Sequence, residues 1–243
     1  MPQEIYTVKL KRKNTVALDT VEFYFERPEN FIYEPGQHIE IILINPPTMD
    51  ESGNKRDFSL VSAPHEEDLV VVARIRDSAF KKGLNALSPG DTVSMRGPLG
   101  SSFRLHVDTI RPAVFIAGGI GIAPFMSMVR HILYNKLSYQ MLLFHSNRRP
   151  EDCVYCKELS QLAAGNQQFT YIPTMTNMKQ STESWHGEEG RISRDLIEKH
   201  LDDAQTAFFY IAGPTSMVVG MDLLLHDMGV SRDVVRTEEF TGY

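Results

Sequence analysis

Three glycines fall within four positions where an apolar run meets a helical pattern, in the stretch FIAGGIGIAPF at 115–125. Glycine lets a backbone approach a phosphate closely, and the first turn of a following helix offers free N–H groups and its positive dipole end. The segment Gly118–Pro124 is therefore a candidate phosphate site. A tight strand–helix connection without a ligand is the alternative, and the glycines alone do not decide between the two.

Two further strand ends carry suitable residues. At 145–149 the sequence reads HSNRR, and Ser146, Asn147 and Arg148 could bind an adenosine 2′-phosphate. No acidic residue stands directly at this end to bind a free ribose 2′-hydroxyl, which favours NADPH over NADH; a merely solvated arginine is the alternative. Ala212–Pro214 is again glycine-rich and precedes a helical pattern. Three such ends on one sheet edge indicate a ligand site more strongly than one.

Two segments of the first half also carry chemistry. RDFS at 56–59 combines a cation for a phosphate, an aromatic ring that can stack on a planar ring, and a hydroxyl that can bond a ring nitrogen. KKGLN at 81–85 places positive charge and a glycine at a predicted helix start, a second candidate phosphate site. The alternatives are an amphipathic strand with Phe58 in the core and a solvated lysine pair.

The chain has two cysteines, Cys153 and Cys156, which form a C-x-x-C motif. Zinc would need two further ligands and a plant-type iron–sulfur cluster four thiolates, and the eight histidines are scattered along the sequence. Redox C-x-x-C motifs open a helix after a strand, whereas this motif is predicted to lie inside a helix. We therefore predict a structural or incidental role for the pair, and no metal site.

The elements that position these residues show two different patterns of apolar spacing, one in each half of the chain. Up to about residue 110 the segments are β-rich or alternating, with Gly, Pro and Asn turns between them, which predicts a six-stranded antiparallel barrel. AFKKGLNAL (79–87) is the exception and predicts a short helix. The predicted strands are EIYTVKLKRK (4–13), ALDTVEFYFERP (17–28), GQHIEIILIN (36–45), RDFSLVSAP (56–64), LVVVARIR (69–76) and DTVSMRGPLG (91–100).

After Pro112 strands alternate with helical patterns, which predicts a doubly wound parallel sheet. Ser193 and Thr215 are predicted to cap two of the helices. We place the boundary near residues 106–112, which gives a domain of residues 1–108 and a domain of residues 109–243. The predicted strands lie at 113–119, 140–146, 168–176, 207–214 and 234–240, and the predicted helices at 124–137, around 151–164, and after Ser193 and Thr215.

The composition limits the classes of partner. The 243 residues carry a formal net charge of −6, which argues against a nucleic-acid surface or an anionic membrane. No apolar stretch approaches membrane-spanning length, and the polar start MPQEIYTVKL is unlike a secretory signal. We expect a cytoplasmic protein, and the sequence leaves its oligomeric state open.

Four ordered motifs carry a family resemblance over almost the whole chain. RDFS resembles the RxYS/RxFS flavin motif, GGIGIAPF the GGxGxxP nucleotide motif, AGP at 212–214 the usual CGP, and EEFTGY ends the chain. Together they resemble the ferredoxin–NADP reductase superfamily. The resemblance implies an FAD-binding barrel joined to an NAD(P)H-binding α/β domain, with the flavin in the groove between them.

The resemblance also implies a role for each position. Arg56 contacts the FAD pyrophosphate, Phe58 the flavin or its ribityl chain, and Ser59 flavin N5. Glu239 positions the nicotinamide or assists proton transfer, and Phe240, in preference to Tyr243, covers the flavin. With Ser59 and Glu239 as catalytic residues, the predicted cofactor-binding set is Arg56, Asp57, Phe58, Ser59, Ala73, Arg74, Ile75, Arg76, Lys82, Gly83, Leu84, Asn85, Gly119, Gly121, Ala123, Pro124, Ser146, Asn147, Arg148, Gly213, Pro214, Phe240 and Tyr243.

Three departures from the family pattern concern binding rather than bond-making. Ala212 replaces the usual cysteine beside the nicotinamide, Ala123 a frequent threonine, and Asn85 a frequent serine or threonine at the diphosphate. Each removes or changes a polar group in a cofactor pocket. We therefore expect effects on affinity and rate.

The implied activity is hydride transfer from NAD(P)H to FAD, followed by electron transfer to a separate acceptor such as a ferredoxin, a flavodoxin or a haem protein. A small oxidant or free flavin could also accept the electrons. Two other functions stay open: an NAD(P)H:flavin reductase that uses flavin as a substrate, and a non-catalytic electron-transfer or sensor subunit.

Overall fold

A computed structural model describes residues 4–240 and contains the six strands and the short helix predicted for the first half. Strand alternation explains the inward residues: in the first strand Val8 and Leu10 are buried while Lys9 and Lys11 are exposed. The elements are β1 Ile5–Ala17, β2 Thr20–Phe25, β3 His38–Leu43, β4 Lys55–Ser59, β5 Leu69–Arg74, α1 Ala79–Ala86 and β6 Thr92–Leu99.

These six strands form one antiparallel sheet in the order β4-β3-β6-β1-β2-β5. Just beyond β4, the N–H of Val61 donates to the carbonyl of Val70 in β5 at 2.8 Å, so the sheet curls until its two edges approach. The curled sheet encloses a cluster of buried apolar side chains that includes Phe23, Phe25 and Ile39. The predicted six-stranded antiparallel fold is confirmed.

The second half is a sheet of six parallel strands in the order β10-β9-β8-β7-β11-β12. The chain steps outward from β7 to one edge and then returns to build the other, so the sheet is doubly wound as predicted. The elements are β7 Ala113–Gly118, α2 Ala123–Tyr134, β8 Met141–Asn147, α3 Cys156–Gly165, β9 Phe169–Met175, β10 Glu188–Glu189, α4 Arg194–His200, β11 Phe208–Pro214, α5 Thr215–Asp227 and β12 Val235–Phe240, with 3₁₀ turns at Gly119–Ile122, Pro150–Asp152, Met178–Gln180, Ala204–Thr206 and Arg232–Val234.

One of the two predicted helix caps is confirmed. The Ser193 hydroxyl accepts a hydrogen bond from the N–H of Leu196 at 3.2 Å. The cap predicted at Thr215 is wrong, because α5 begins at Thr215 itself and Pro214 occupies the preceding position without a side-chain cap. Proline has no side-chain acceptor, so no side chain at this position caps the N–H groups of the first turn of α5.

The start of α3 also differs from the prediction. The helix begins at Cys156, after the 3₁₀ turn Pro150–Asp152 and Tyr155, whose φ of 61° is left-handed. The C-x-x-C motif therefore precedes and opens the helix instead of lying inside it. The sequence pattern missed this because the apolar spacing continues smoothly through the irregular residues.

Backbone contacts divide the chain into two units. The first runs to Leu105 and includes Ala123–His131, and the second comprises His106–Ile122 and the chain from Ile132 onward. The domain boundary between residues 108 and 109 stays a prediction. Between residues 4 and 240, no helix combines the length and apolar character that crossing a bilayer requires.

Candidate functional site

In the second unit the predicted nucleotide-binding residues meet at one edge of the sheet. Gly118 at the end of β7 pairs in register with Ser146 at the end of β8. On the other side of β7, Ala117 pairs with Ala212 of β11, and Gly213 then pairs with Glu239 of β12. All these pairs are parallel, so the edge collects the carboxyl ends of four strands, where open α/β sheets bind their ligands.

Close packing surrounds two of the glycines at this edge. A Cβ on Gly121 would lie 2.3 Å from the carbonyl oxygen of Ala212 and 2.8 Å from the Cα of Gly213. A Cβ on Gly118 would lie 2.4 Å from the sulfur of Met217. Packing against the backbone of β11 therefore requires Gly121, whereas a Cβ on Gly118 would meet the flexible side chain of Met217. Nucleotide contacts of Gly119 (φ 53°), Gly121, and Ala123 and Pro124 at the start of α2 stay predictions.

The end of β8 presents one buried and one exposed group. Asn147 is buried, and its amide donates to Cys153 Sγ at 3.1 Å. Arg148 is exposed, whereas the neighbouring Arg149 is held by Asp152 through contacts of 2.7 and 3.1 Å. Arg148 is therefore the arginine of this pair that an external phosphate can reach. Ser146 is half-buried beside it.

A buried histidine fixes the turn that follows β7. His145 is fully buried, with Nε2 3.0 Å from the carbonyl oxygen of Gly119 and Nδ1 3.0 Å from the hydroxyl of Tyr171. Since a carbonyl can only accept, Nε2 carries the proton and Nδ1 accepts from Tyr171. Burial lowers the pKa of His145 to about 4, so the imidazole is neutral. Sequence reasoning gave this residue no role.

The end of β12 separates two adjacent carboxylates. Glu239, the predicted catalytic residue, is exposed, and Phe240 is half-buried in register with Pro214. Glu238 is half-buried and its Oε2 is buried. The predicted role of Glu239 at the nicotinamide stays a prediction. Tyr243 lies outside the described residues.

In the first unit β4 divides its residues between core and surface. Phe58 and Ser59 are buried, and Phe58 packs on Phe80 with ring centroids 6.0 Å apart. Asp57 is exposed and Arg56 half-buried. The structure thus gives Phe58 the core position of the amphipathic-strand alternative. Contacts of Phe58 and Ser59 with a flavin stay predictions.

A cluster of cations gathers at the start of α1. The Arg56 guanidinium lies 3.6 Å from the Asp50 carboxylate, which also accepts from the backbone N–H of Ala79 at 3.0 Å. Burial, followed by the charges of Arg76, Arg56 and Arg74, lowers the pKa of Lys81. One cation and a helix N-terminus thus contact the Asp50 carboxylate, and three further cations lie near Arg56, an arrangement that suits an anionic ligand.

The segment KKGLN occupies the first and second turns of α1. The helix begins at Ala79, so the first turn contains Lys81 and Lys82, and the latter pairs with Asp77 at 2.5 Å. A Cβ on Gly83 would meet Leu43 of β3 at 2.9 Å, and Leu84 belongs to the core. Asn85 follows them, exposed, in the second turn. The helix predicted at 79–87 is confirmed, with the two lysines of KKGLN in its first turn and Gly83, Leu84 and Asn85 after them.

The end of β5 supplies the remaining predicted residues. Ala73 and Arg74 are buried in the strand, Ile75 packs partly against the core, and Arg76 is exposed. Arg74 and Arg76 contribute to the field that acts on Lys81. The structure therefore brings cations from β4, from the end of β5 and from α1 close together, and binding of an anion there stays a prediction.

Comparisons with known proteins match both halves of the chain. Residues 7–103 match a family described as "Oxidoreductase FAD-binding domain", and residues 115–222 match one described as "Oxidoreductase NAD-binding domain". The chain thus carries an FAD-binding and an NAD-binding domain of the oxidoreductase type.

Three similar proteins illustrate the range of full-length relatives. The chain is 29% identical to ferredoxin–NADP reductase B of Sorangium cellulosum, covering 90% of this chain and 91% of that protein. It is 27% identical to the reductase component of propane 2-monooxygenase from Mycolicibacterium smegmatis, and the match covers 98% of this chain and 67% of that protein. A ferredoxin NADP⁺ reductase from Neisseria gonorrhoeae with bound FAD and NADP superposes with a TM-score of 0.78 at 21% identity, covering 97% and 98%. Several other curated relatives are about twice as long as the part that this chain spans.

We expect Gly121→Ala to destabilise the second unit by about 1–3 kcal/mol, because its Cβ would overlap the backbone of β11. Gly220→Ala in α5 is the matched control, since nothing lies within 4 Å of its Cβ and alanine favours a helix. Urea unfolding followed by circular dichroism measures both. Equal midpoints for the two variants would contradict the packing described here.

Proposed function

Because the chain belongs to the ferredoxin–NADP reductase superfamily, we propose that it accepts electrons from NAD(P)H on a bound FAD and passes them to a separate redox partner. The observation that carries the proposal is the anion-binding site at the start of α1. A carboxylate already accepts from the N–H of Ala79 and faces Arg56 there, so the donors suit the diphosphate of FAD.

The first unit would hold FAD mainly through charge. Burial lowers the pKa of Lys81 most, and the charges of Arg76, Arg56 and Arg74 lower it further, so a dianionic diphosphate in this cluster would relieve the repulsion. The Asp50 carboxylate would yield its place to the phosphate. Ser59, at the end of β4, would donate a hydrogen bond from its hydroxyl to the flavin ring.

The second unit would hold the pyridine nucleotide at the carboxyl edge of its sheet. Gly119 and Gly213, which have no side chains, would let the nicotinamide and its phosphates approach the backbone closely. Arg148 would pair with a 2′-phosphate. Glu239, exposed at the end of β12, would help to position the nicotinamide. Bound together, NAD(P)H and FAD supply hydride transfer, and these residues supply orientation.

The electron acceptor would be a separate protein. This chain has two cysteines, too few for the four thiolates of a plant-type iron–sulfur cluster. Relatives named as reductase components serve multicomponent systems, which fits a partner of that kind. We propose a small cytoplasmic redox protein such as a ferredoxin, a flavodoxin or a haem protein, and the net charge of −6 favours a partner with a basic docking face.

The first test is a visible spectrum of the purified protein with anaerobic titration by NADH and NADPH. We expect one FAD per chain, bleaching on addition of nicotinamide, and turnover with ferricyanide. A colourless protein that oxidises NAD(P)H only with added flavin would indicate a flavin reductase. No oxidation of either nicotinamide with any acceptor would contradict the proposal and favour a non-catalytic subunit.

We expect Arg56→Ala to weaken FAD binding roughly 10- to 100-fold, the range for losing a charged hydrogen bond, while the fold persists. Arg12→Ala is the control, because Arg12 pairs with Asp68 outside the α1 cluster. Flavin content after dialysis and circular dichroism report the two properties. Full flavin retention in the Arg56→Ala variant would contradict the proposal that Arg56 binds the FAD diphosphate.

We expect Arg148→Ala to raise the dissociation constant of NADPH roughly tenfold or more and to leave that of NADH nearly unchanged, because only NADPH carries the 2′-phosphate. Arg232→Ala is the control, since Arg232 is exposed and precedes β12 at the opposite edge of the sheet. Titration of both nucleotides gives the comparison. Equal weakening of NADPH and NADH would show that Arg148 does not read the 2′-phosphate.

A further inference from the structure

The C-x-x-C motif occupies the position typical of redox motifs. The structure joins Cys153 and Cys156 by a disulfide with Cα atoms 5.7 Å apart, within the range that disulfides adopt. Cys156 is the first residue of α3 and is partly exposed, whereas Cys153 is buried. The motif therefore follows a parallel strand and opens a helix, as in thiol–disulfide proteins.

The two sulfurs contact residues that lead to the glycine-rich turn. Cys156 Sγ lies 3.1 Å from the Tyr171 hydroxyl, which lies 3.0 Å from Nδ1 of His145. Nε2 of the same imidazole donates to the carbonyl of Gly119. On the other sulfur, Asn147 donates to Cys153 from the end of β8. The redox pair thus touches the same strand ends that carry the candidate nucleotide site.

We propose that Cys153 and Cys156 form a reversible dithiol–disulfide site that exchanges electrons with small thiols and disulfides of the glutathione class, and that its redox state alters nucleotide binding through Tyr171, His145 and Gly119. The second half of this inference rests on the proposed function, because it concerns the nucleotide site at the same sheet edge. The first half stands on the cysteine pair alone.

The exchange is a balanced two-electron reaction. The Cys156 thiolate, partly exposed and stabilised by the N-terminus of α3, attacks one sulfur of a small disulfide, whose S–S bond breaks and releases a thiolate. Cys153 then attacks Cys156 Sγ and displaces the second thiolate. The protein dithiol loses two electrons and two protons, which the small disulfide gains as two thiols. Reduction runs through the same steps in reverse.

Coupling to the turn follows from the change in hydrogen bonding at Tyr171. In the dithiol, Cys156 can donate its S–H proton to Tyr171 while Tyr171 donates to His145. The disulfide has no such proton, so Tyr171 loses a donor and its bond to His145 readjusts. Burial raises the pKa of Tyr171 and lowers that of His145, so both side chains stay neutral. The redox state therefore acts on the turn by changing hydrogen-bond positions and not by changing charge.

A metal site is the competing use of the same groups. His145 Nδ1 and the two sulfurs lie within 4.8 Å of one another, although the histidines are scattered in the sequence. Structural zinc takes four protein ligands, and this group supplies three among residues 4–240. Nδ1 also accepts a hydrogen bond from Tyr171. The geometry therefore favours thiol–disulfide exchange, and metal binding is an outcome of the test.

The site is tested on the full chain. The protein is equilibrated anaerobically with mixtures of reduced and oxidised glutathione and quenched in acid. Its free thiols are then counted by maleimide labelling and mass spectrometry. We expect both thiols to appear together in one reversible two-electron transition. Two free thiols at every ratio, a disulfide that native protein never releases, or one tightly held zinc per reduced chain would each overturn the site.

Single-cysteine variants test the order of attack. We expect Cys153→Ser to accumulate a glutathione adduct on Cys156, because no resolving thiol remains. Cys156→Ser should form little or no adduct, because the remaining Cys153 is buried. The reverse pattern would overturn the assignment of Cys156 as the attacking residue.

Coupling is tested by the dissociation constants of NADH and NADPH for fully oxidised and fully reduced protein. We expect each dissociation constant to differ by about 5-fold or more between the disulfide and the dithiol protein, which is the lower end of typical couplings. Tyr171→Phe should abolish the difference while the thiol titration persists. Equal affinities in the wild type would overturn the coupling. Failure of nucleotide to bind in either state would instead count against the proposed function, and the thiol titration would still decide the redox site.

Discussion

The second unit depends on one close approach of backbone to backbone, where the turn after β7 lies against the end of β11. The distance from a Cβ on Gly121 to the carbonyl of Ala212 would be 2.3 Å, so any side chain there must displace a strand. His145 holds the same turn from the other side through the carbonyl of Gly119. This packing keeps the strand ends in register, and the register brings residues from β7, β8, β11 and β12 to a common edge.

The first unit is organised by a different feature, which is a local concentration of positive charge. Arg56, Arg74, Arg76 and Lys81 come from β4, from the end of β5 and from α1, and burial followed by the charges of the arginines lowers the pKa of the lysine. Asp50 lies 3.6 Å from Arg56 and accepts from the N–H of Ala79 at the helix N-terminus. Such a cluster is stabilised by any anion with more charge than a single carboxylate, which is why a diphosphate suits it.

The fold was largely predictable, whereas several positions of the site were not. The alternation at Val8 and Leu10 and the continuous apolar run of β7 follow directly from which faces are buried, so strand positions could be read from the sequence. The start of α3 could not, because local irregularities such as the left-handed Tyr155 leave no periodic signal. As a result Cys153 and Cys156 were expected inside a helix. The link between His145 and the cysteines follows only from the tertiary structure.

The sequence by itself determined the two architectures, the order of their elements and the motifs that stand at the strand ends, because burial imposes a period of two on strands and about 3.6 on helices. Tertiary structure alone decided which side chains face one another. His145 and Tyr171 are 26 residues apart, and Asp50 and Ala79 are 29 apart, yet each pair is hydrogen-bonded. Contacts at such separations depend on strand register and chain packing, which no local pattern of residue types encodes.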